Sequence, residues 1–175
     1  MLAVVAPAPA GAWTTERQGS PMSSSDATAI ALADLPGMVG KHLGHSDWHT
    51  IDQEQINRFA DATGDHQWIH VDLERAKSGP FGTTIGHGYL TLSLVPIFVF
   101  QILNVEGAKL VVNYGINKAR FPAPVPSGSR VRMGGEIGAV EPVAGGLQLT
   151  LNCTFEIEGQ PKPACVAEIL FRYYE

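Results

Sequence analysis

Gly88-Tyr89-Leu90-Thr91-Leu92-Ser93-Leu94-Val95-Pro96-Ile97-Phe98-Val99-Phe100-Gln101-Ile102-Leu103 is the stretch that decides the fold. Apolar residues dominate it, and only Thr91, Ser93, Pro96 and Gln101 interrupt them. As a helix its residues reach roughly 24 Å at 1.5 Å per residue, short of the ~30 Å hydrocarbon core of a bilayer. The run therefore predicts a buried helix over about 87–103, opened by His87-Gly88, with no membrane span. Its apolar residues lie almost all around the helix, as expected of one wrapped by a sheet. Pro96 should kink or break it, because proline lacks the N–H that a helix interior needs.

Downstream of this run the period changes. Leu147, Leu149, Leu151, Cys153, Phe155 and Ile157 alternate with Gln148, Thr150, Asn152, Thr154, Glu156 and Glu158, the pattern of a strand with one buried face. Leu110, Val112, Tyr114 and Ile116 alternate in the same way. Residues 129–140 and 164–174 complete four strands separated by turn-rich stretches such as 122–128. Upstream, Thr50-Ile51-Asp52-Gln53 fits a capping box, and Ile56, Phe59, Ala60 and Thr63 form one inward helical stripe. Gly64 should end that helix in a left-handed conformation. This leaves 65–71 irregular, and Asp72 caps a short helix running to Lys77. The chain has no internal repeat. The predicted architecture is α+β, with a long apolar helix covered by an antiparallel sheet.

Composition sets the outer bounds. The 175 residues suit a single domain, here 28–175, and 45% apolar with 17% charged residues marks a folded globular chain. A net charge of −5 argues against a general nucleic-acid surface. Lys118, Arg120, Arg130 and Arg132 form a local basic group suited to an anionic small molecule or to solvated strand edges. Residues 1–21 are rich in Ala and Pro and lack the basic start of a signal peptide. Residues 1–27 are thus expected to form a disordered or weakly ordered extension. Cys153 and Cys165 fall in strands without metal-site spacing, which predicts reduced thiols in a cytoplasmic protein.

The chemistry concentrates in Gly64-Asp65-His66-Gln67-Trp68-Ile69-His70. A carboxylate and an imidazole five apart, just past a helix end, can converge on one water as an acid–base pair. On spacing alone Asp65 reads equally as a turn-former and His70 as a structural histidine. Gly88, opening the long helix, offers a backbone N–H to a developing oxyanion. His66 and His70, four apart, lack a helical frame for a metal, and none is expected.

Three blocks carry a resemblance. Phe59-Ala60-Asp61-Ala62-Thr63-Gly64-Asp65, then His70, then Ala76, resembles the signature of the MaoC-like dehydratases, the (R)-specific enoyl-CoA hydratases. The block from Gly79-Pro80-Phe81-Gly82 through His87-Gly88 to Ser93-Leu94 is similar to the branch that contains nodulation protein N and mycobacterial 3-hydroxyacyl-thioester dehydratases. So is the block from Asn113-Tyr114-Gly115 to Pro124-Val125-Pro126. The resemblance covers roughly 28–175. It implies a hot-dog fold, homodimers, and Asp65 and His70 as the pair that hydrates trans-2-enoyl thioesters to (R)-3-hydroxyacyl thioesters, with the Gly88 amide as oxyanion donor. It implies no cofactor, and coenzyme A or acyl carrier protein as the thioester carrier.

Gln67, Trp68, His87, Ser93, Lys118 and Arg120 are the further candidates for substrate contact. Gln67-Trp68 stands where the wider family carries Asn-Pro, a change shared by the nodulation-protein branch. Trp68 suits either an acyl pocket or core volume, Ser93 suits internal hydrogen bonding, and Lys118 and Arg120 suit coenzyme A phosphates or exposed strand edges. Two rival functions use the same fold: an acyl-thioester hydrolase with Asp65 as base or nucleophile, and a non-catalytic acyl-thioester binder. The paired histidine favours the hydratase over the first, and the joint presence of Asp65, His70 and Gly88 argues against the second.

Overall fold

The computed structural model describes residues 27–175 and the backbone of Val4–Val5. The expected N-terminal extension therefore lies almost wholly outside the described residues. Val4–Val5 (β1) pairs antiparallel with Val111 and Val112.

The sheet is built from the four strands that alternate in sequence. They are β7 (Leu110–Arg120), β9 (Ser129–Val143), β10 (Gly146–Ile157) and β11 (Cys165–Tyr174). Two short strands come earlier in the chain, β3 (His42–His45) and β4 (His49–Ile51), and both pair with β9. The order is β1-β7-β11-β10-β9-β3, every pair antiparallel. Leu149, Leu151, Cys153, Phe155 and Ile157 all face inward as their period predicts, and so do Ile169, Phe171 and Tyr173 on the neighbouring strand. Two minor pairs sit beside the sheet. β2 (Thr28–Ala31) runs parallel to β6 (Leu103–Glu106), and β5 (Ile85–Gly86) pairs with β8 (Val125–Pro126).

The apolar run lies against this sheet in two pieces, not one. After α1 (Gln53–Thr63), α2 (Trp68–Val71) and α3 (Leu73–Lys77) comes α4 (Gly88–Ser93), and Leu94 separates it from α5 (Val95–Ile102). Pro96 explains the break. It sits in the first turn of α5, where a missing N–H leaves no bond unmade. Phe98, Val99 and Ile102 bury against the sheet, with the Phe98 and Phe155 rings 5.8 Å apart. Gly135 lets the helix end come close, since a Cβ there would stand 2.8 Å from Ile102 Cδ1. Ile97 and Phe100 on the opposite side are 47% and 44% exposed, so a helix apolar all round is not buried all round in a single subunit.

Two further expectations need correction. The alternation along β7 fails beyond Val112, because the pairing with β11 shifts register twice and leaves Tyr114 and Asn117 unopposed. Each extra residue interrupts the period-2 pattern, and Tyr114 and Ile116 are exposed. The capping box does not form either. Thr50 belongs to β4, and Asp52 caps α1 by accepting the Gln55 N–H at 2.8 Å. Gln53 is thereby released for the bonds described below.

Removing the ring at the centre of this packing should show its weight. Phe155→Ala is expected to lower stability by about 3–5 kcal/mol, read as a shift of the urea unfolding midpoint with an unchanged slope.

Candidate active site

Gly64 ends α1 as expected, at φ 80° with its N–H donating to Ala60 O. The chain then turns through 65–67 and enters α2, a single helical turn with Gln67 at its N-cap position, so only the first part of 65–71 is irregular. Residue 70 falls in the last turn of α2, which carries its side chain inward to 7% exposure.

His70 is held from two sides. Its Nδ1 lies 2.7 Å from the Ile85 carbonyl in β5. A carbonyl only accepts, so Nδ1 carries the proton and Nε2 presents a lone pair. The His70 backbone carbonyl accepts from Gln53 Nε2 at 2.8 Å, and Gln53 Oε1 in turn accepts the hydroxyl of fully buried Thr84. Burial pushes the imidazole below its ordinary value of 6.5, and the adjacent His87 pushes the same way. The Ile85 bond and the Asp65 charge oppose them.

Asp65 is exposed on its turn, and its carboxylate accepts the Gln67 N–H at 3.3 Å. A carboxylate oxygen of Asp65 and one ring nitrogen each of His70 and His87 lie within 4.8 Å of one another. The structure thus brings Asp65 and His70 together and adds His87, which is 3% exposed and immediately precedes α4. The two imidazoles stack with centroids 3.7 Å apart and planes 23° from parallel. That stacking suits a metal poorly, because an ion bound by two imidazoles lies in both ring planes, and nearly parallel stacked planes do not meet at one. His66 turns away to the surface, 2.9 Å from the Asp61 carboxylate.

Beside His70 opens a cleft of about 300 Å³ whose lining includes Gly88, Thr91, Phe81, Phe121 and Ala164. Gly88 is the first residue of α4, where helix geometry leaves the N–H without an internal partner. Its lack of a side chain has a further reason that the sequence does not show: a Cβ there would stand 2.9 Å from Phe121 Cγ.

The remaining candidates lie outside this lining. Gln67 stands exposed at the N-cap position of α2, with no capping bond from its side chain. Trp68 packs over Gly79 under the Arg75 guanidinium, 4.4 Å from its ring, which is the volume-filling alternative. Ser93 donates to Leu90 O at 2.7 Å, Lys118 pairs with Glu168 at 2.8 Å, and Arg120 donates to the carbonyl of Ala119. Arg130 and Arg132 pair with Glu158 and Glu156 on the far side of the sheet, so the four basic residues form no single group. Gln53, Thr84 and Phe121 were not singled out from sequence. Their roles arise from contacts 17 to 33 positions away along the chain.

A family model described as MaoC like domain matches residues 34–150. The chain belongs to the MaoC-like dehydratase family. With that family it is a hydro-lyase. It is 58% identical over 147 residues to 3-hydroxyacyl-thioester dehydratase Z of Mycobacterium tuberculosis, covering 83% of this chain and 97% of that protein. It is 44% identical over 143 residues to nodulation protein N of Rhizobium leguminosarum bv. viciae, covering 79% and 88%. Among solved structures, unliganded (R)-hydratase PhaJ1 of Pseudomonas aeruginosa superposes with a TM-score of 0.65 at 21% identity over 78% of this chain and 82% of that one. The architecture of this MaoC-like chain is accordingly the hot dog. No helix among its described residues is long and apolar enough to cross a membrane.

The depressed His70 value gives a pH expectation. Protonation of His70 favours the unfolded chain, so its contribution is fully present above about pH 6.5 and is lost as pH falls. Unfolding midpoints measured from pH 7.5 down to 5 should fall more steeply in the wild type than in His70→Gln.

Proposed function

We propose that this protein catalyses reversible hydration of trans-2-enoyl thioesters to (R)-3-hydroxyacyl thioesters, with Asp65 and His70 sharing one water. The observation that carries this reading is the tautomer of His70. Its proton is committed to Ile85 O, which leaves Nε2 a free lone pair in a ring that lines an apolar cleft and has a nitrogen within 4.8 Å of an Asp65 carboxylate oxygen.

In the hydration direction Asp65 and His70 orient the water and take one of its protons as its oxygen bonds to C3. The π electrons of the C2–C3 bond move toward the thioester, and the negative charge on its oxygen is met by the Gly88 N–H. The pair then delivers a proton to C2, so the elements of one water are added and nothing is oxidised or reduced. The thioester itself acidifies the α-position, and the reaction requires no cofactor. The apolar walls of the cleft suit the acyl chain. A carrier of coenzyme A or acyl carrier protein type would extend outward. The exposed Tyr89, Ile97, Phe100 and Ile116 support a homodimer that covers them. The high identity to a protein named as a 3-hydroxyacyl-thioester dehydratase supports the substrate class, and the buried free thiols of Cys153 and Cys165 are consistent with a cytoplasmic setting.

Crotonyl-CoA tests this directly. Loss of the enoyl absorbance without release of free thiol is the expected result. Thiol release would instead identify a thioester hydrolase, and absence of turnover a binder. Asp65→Asn and His70→Gln are each expected to cut turnover about 10²-fold or more with the fold intact. A variant with near wild-type activity would remove its residue from the mechanism.

A further inference from the structure

Asp65 is exposed, on a turn that follows a left-handed glycine. Two of its hydrogen bonds are local and long, its N–H to Thr63 Oγ1 at 3.4 Å and its carboxylate from the Gln67 N–H at 3.3 Å. Among the described residues, one hydrogen bond ties it to an element beyond its own turn. His87 Nε2 lies 2.9 Å from the Asp65 backbone carbonyl, at a separation of 22 residues. A carbonyl accepts only, so Nε2 carries a proton, and Nδ1 is buried without a partner among the described residues. The opposite tautomer would abandon the one hydrogen bond that the ring makes among the described residues. The same ring lies between two others, 5.0 Å from Phe59 on α1 and stacked 3.7 Å from His70 on α2.

We propose that His87 is the positioning residue of the acid–base pair, one ring that fixes both partners by donating Nε2–H to the Asp65 carbonyl and stacking on His70. Its contacts therefore reach the reacting groups without reaching the substrate cleft, whose lining does not include it. His87 is read here as a support for the pair and not as a substrate contact. The stack limits tilting of the His70 ring, whose in-plane rotation is already set by Ile85. The N–H bond sets the height of the turn that carries the carboxylate. Displacing one catalytic group by about 1 Å is enough to cost on the order of 10²-fold in rate. This inference rests on the hydratase reading for its kinetics, though not for its tautomer.

The test uses the full chain in two measurements. Long-range ¹⁵N–¹H spectra of the wild type at pH 7.5 should show His70 protonated on Nδ1 and His87 on Nε2, whether or not crotonyl-CoA is a substrate. A His87 proton on Nδ1 would overturn the inference. In the crotonyl-CoA assay, His87→Phe keeps an aromatic ring but loses the donor. Its kcat should fall about 10- to 100-fold with KM within about threefold. His87→Gln restores an N–H at similar reach and should recover most of that loss. Wild-type kcat in His87→Phe, or equal losses in two variants that both remain folded, would also overturn it. If neither variant folds, the wild-type spectrum decides. A wild type that hydrates no crotonyl-CoA counts against the hydratase reading alone, and the spectrum still judges His87.

Discussion

The seating of α5 on the buried face of the sheet is the constraint from which the rest of the molecule takes its position. Phe98, Val99 and Ile102 are all but fully buried there, against Phe155 and the glycine gap at position 135. Burial of this kind is non-directional, yet here it fixes a direction, because the helix end can enter the sheet only where β9 carries no side chain. Once α5 is placed, Leu94 and Pro96 place α4, and α4 brings Gly88 into the cleft lining with His87 just ahead of it.

From that cleft outward the site is held by polar links between elements distant in sequence. β5 supplies the Ile85 carbonyl to His70, α1 supplies Gln53 to the His70 backbone, and the start of α4 supplies His87 to the Asp65 backbone. Each link involves a backbone carbonyl, which cannot donate. Carbonyls therefore choose the tautomers of both histidines, and no charged partner is required to do so. Neutral rings are what burial favours, and neutral rings are what a proton-accepting imidazole needs.

Much of this was readable from sequence, for reasons that differ by element. Strand β10 could be read residue by residue because its period-2 pattern follows directly from one dry and one wet face. The Gly64 stop and the Asp72 cap are local geometry and carry local signals. Strand β7 defeated the same reasoning at Tyr114 and Ile116, which are exposed, since the irregular register with β11 is a property of two strands and one strand's sequence does not encode it. Thr50-Ile51-Asp52-Gln53 reads as a capping box that does not form, because β4 holds Thr50 in extended pairing while Asp52 caps α1 and Gln53 meets His70 and Thr84. Asp65 and His70 stand out by residue type, spacing and family resemblance, and the structure brings their side chains together. Their neighbours carry no such signal: Gln53 and Thr84 act through partners 17 and 31 positions away, and the Ile85 carbonyl is a backbone acceptor with no residue-specific signature.

The joint at Leu94 separates two duties that an unbroken rod would have merged. The short segment ahead of it presents a backbone amide to the substrate side, and the segment behind it anchors in the interior while showing Ile97 and Phe100 outward. Changes to that outward face can therefore alter what packs against it without rotating the start of α4. Variation outside and constancy at the cleft are thus separable across a single break set by Pro96.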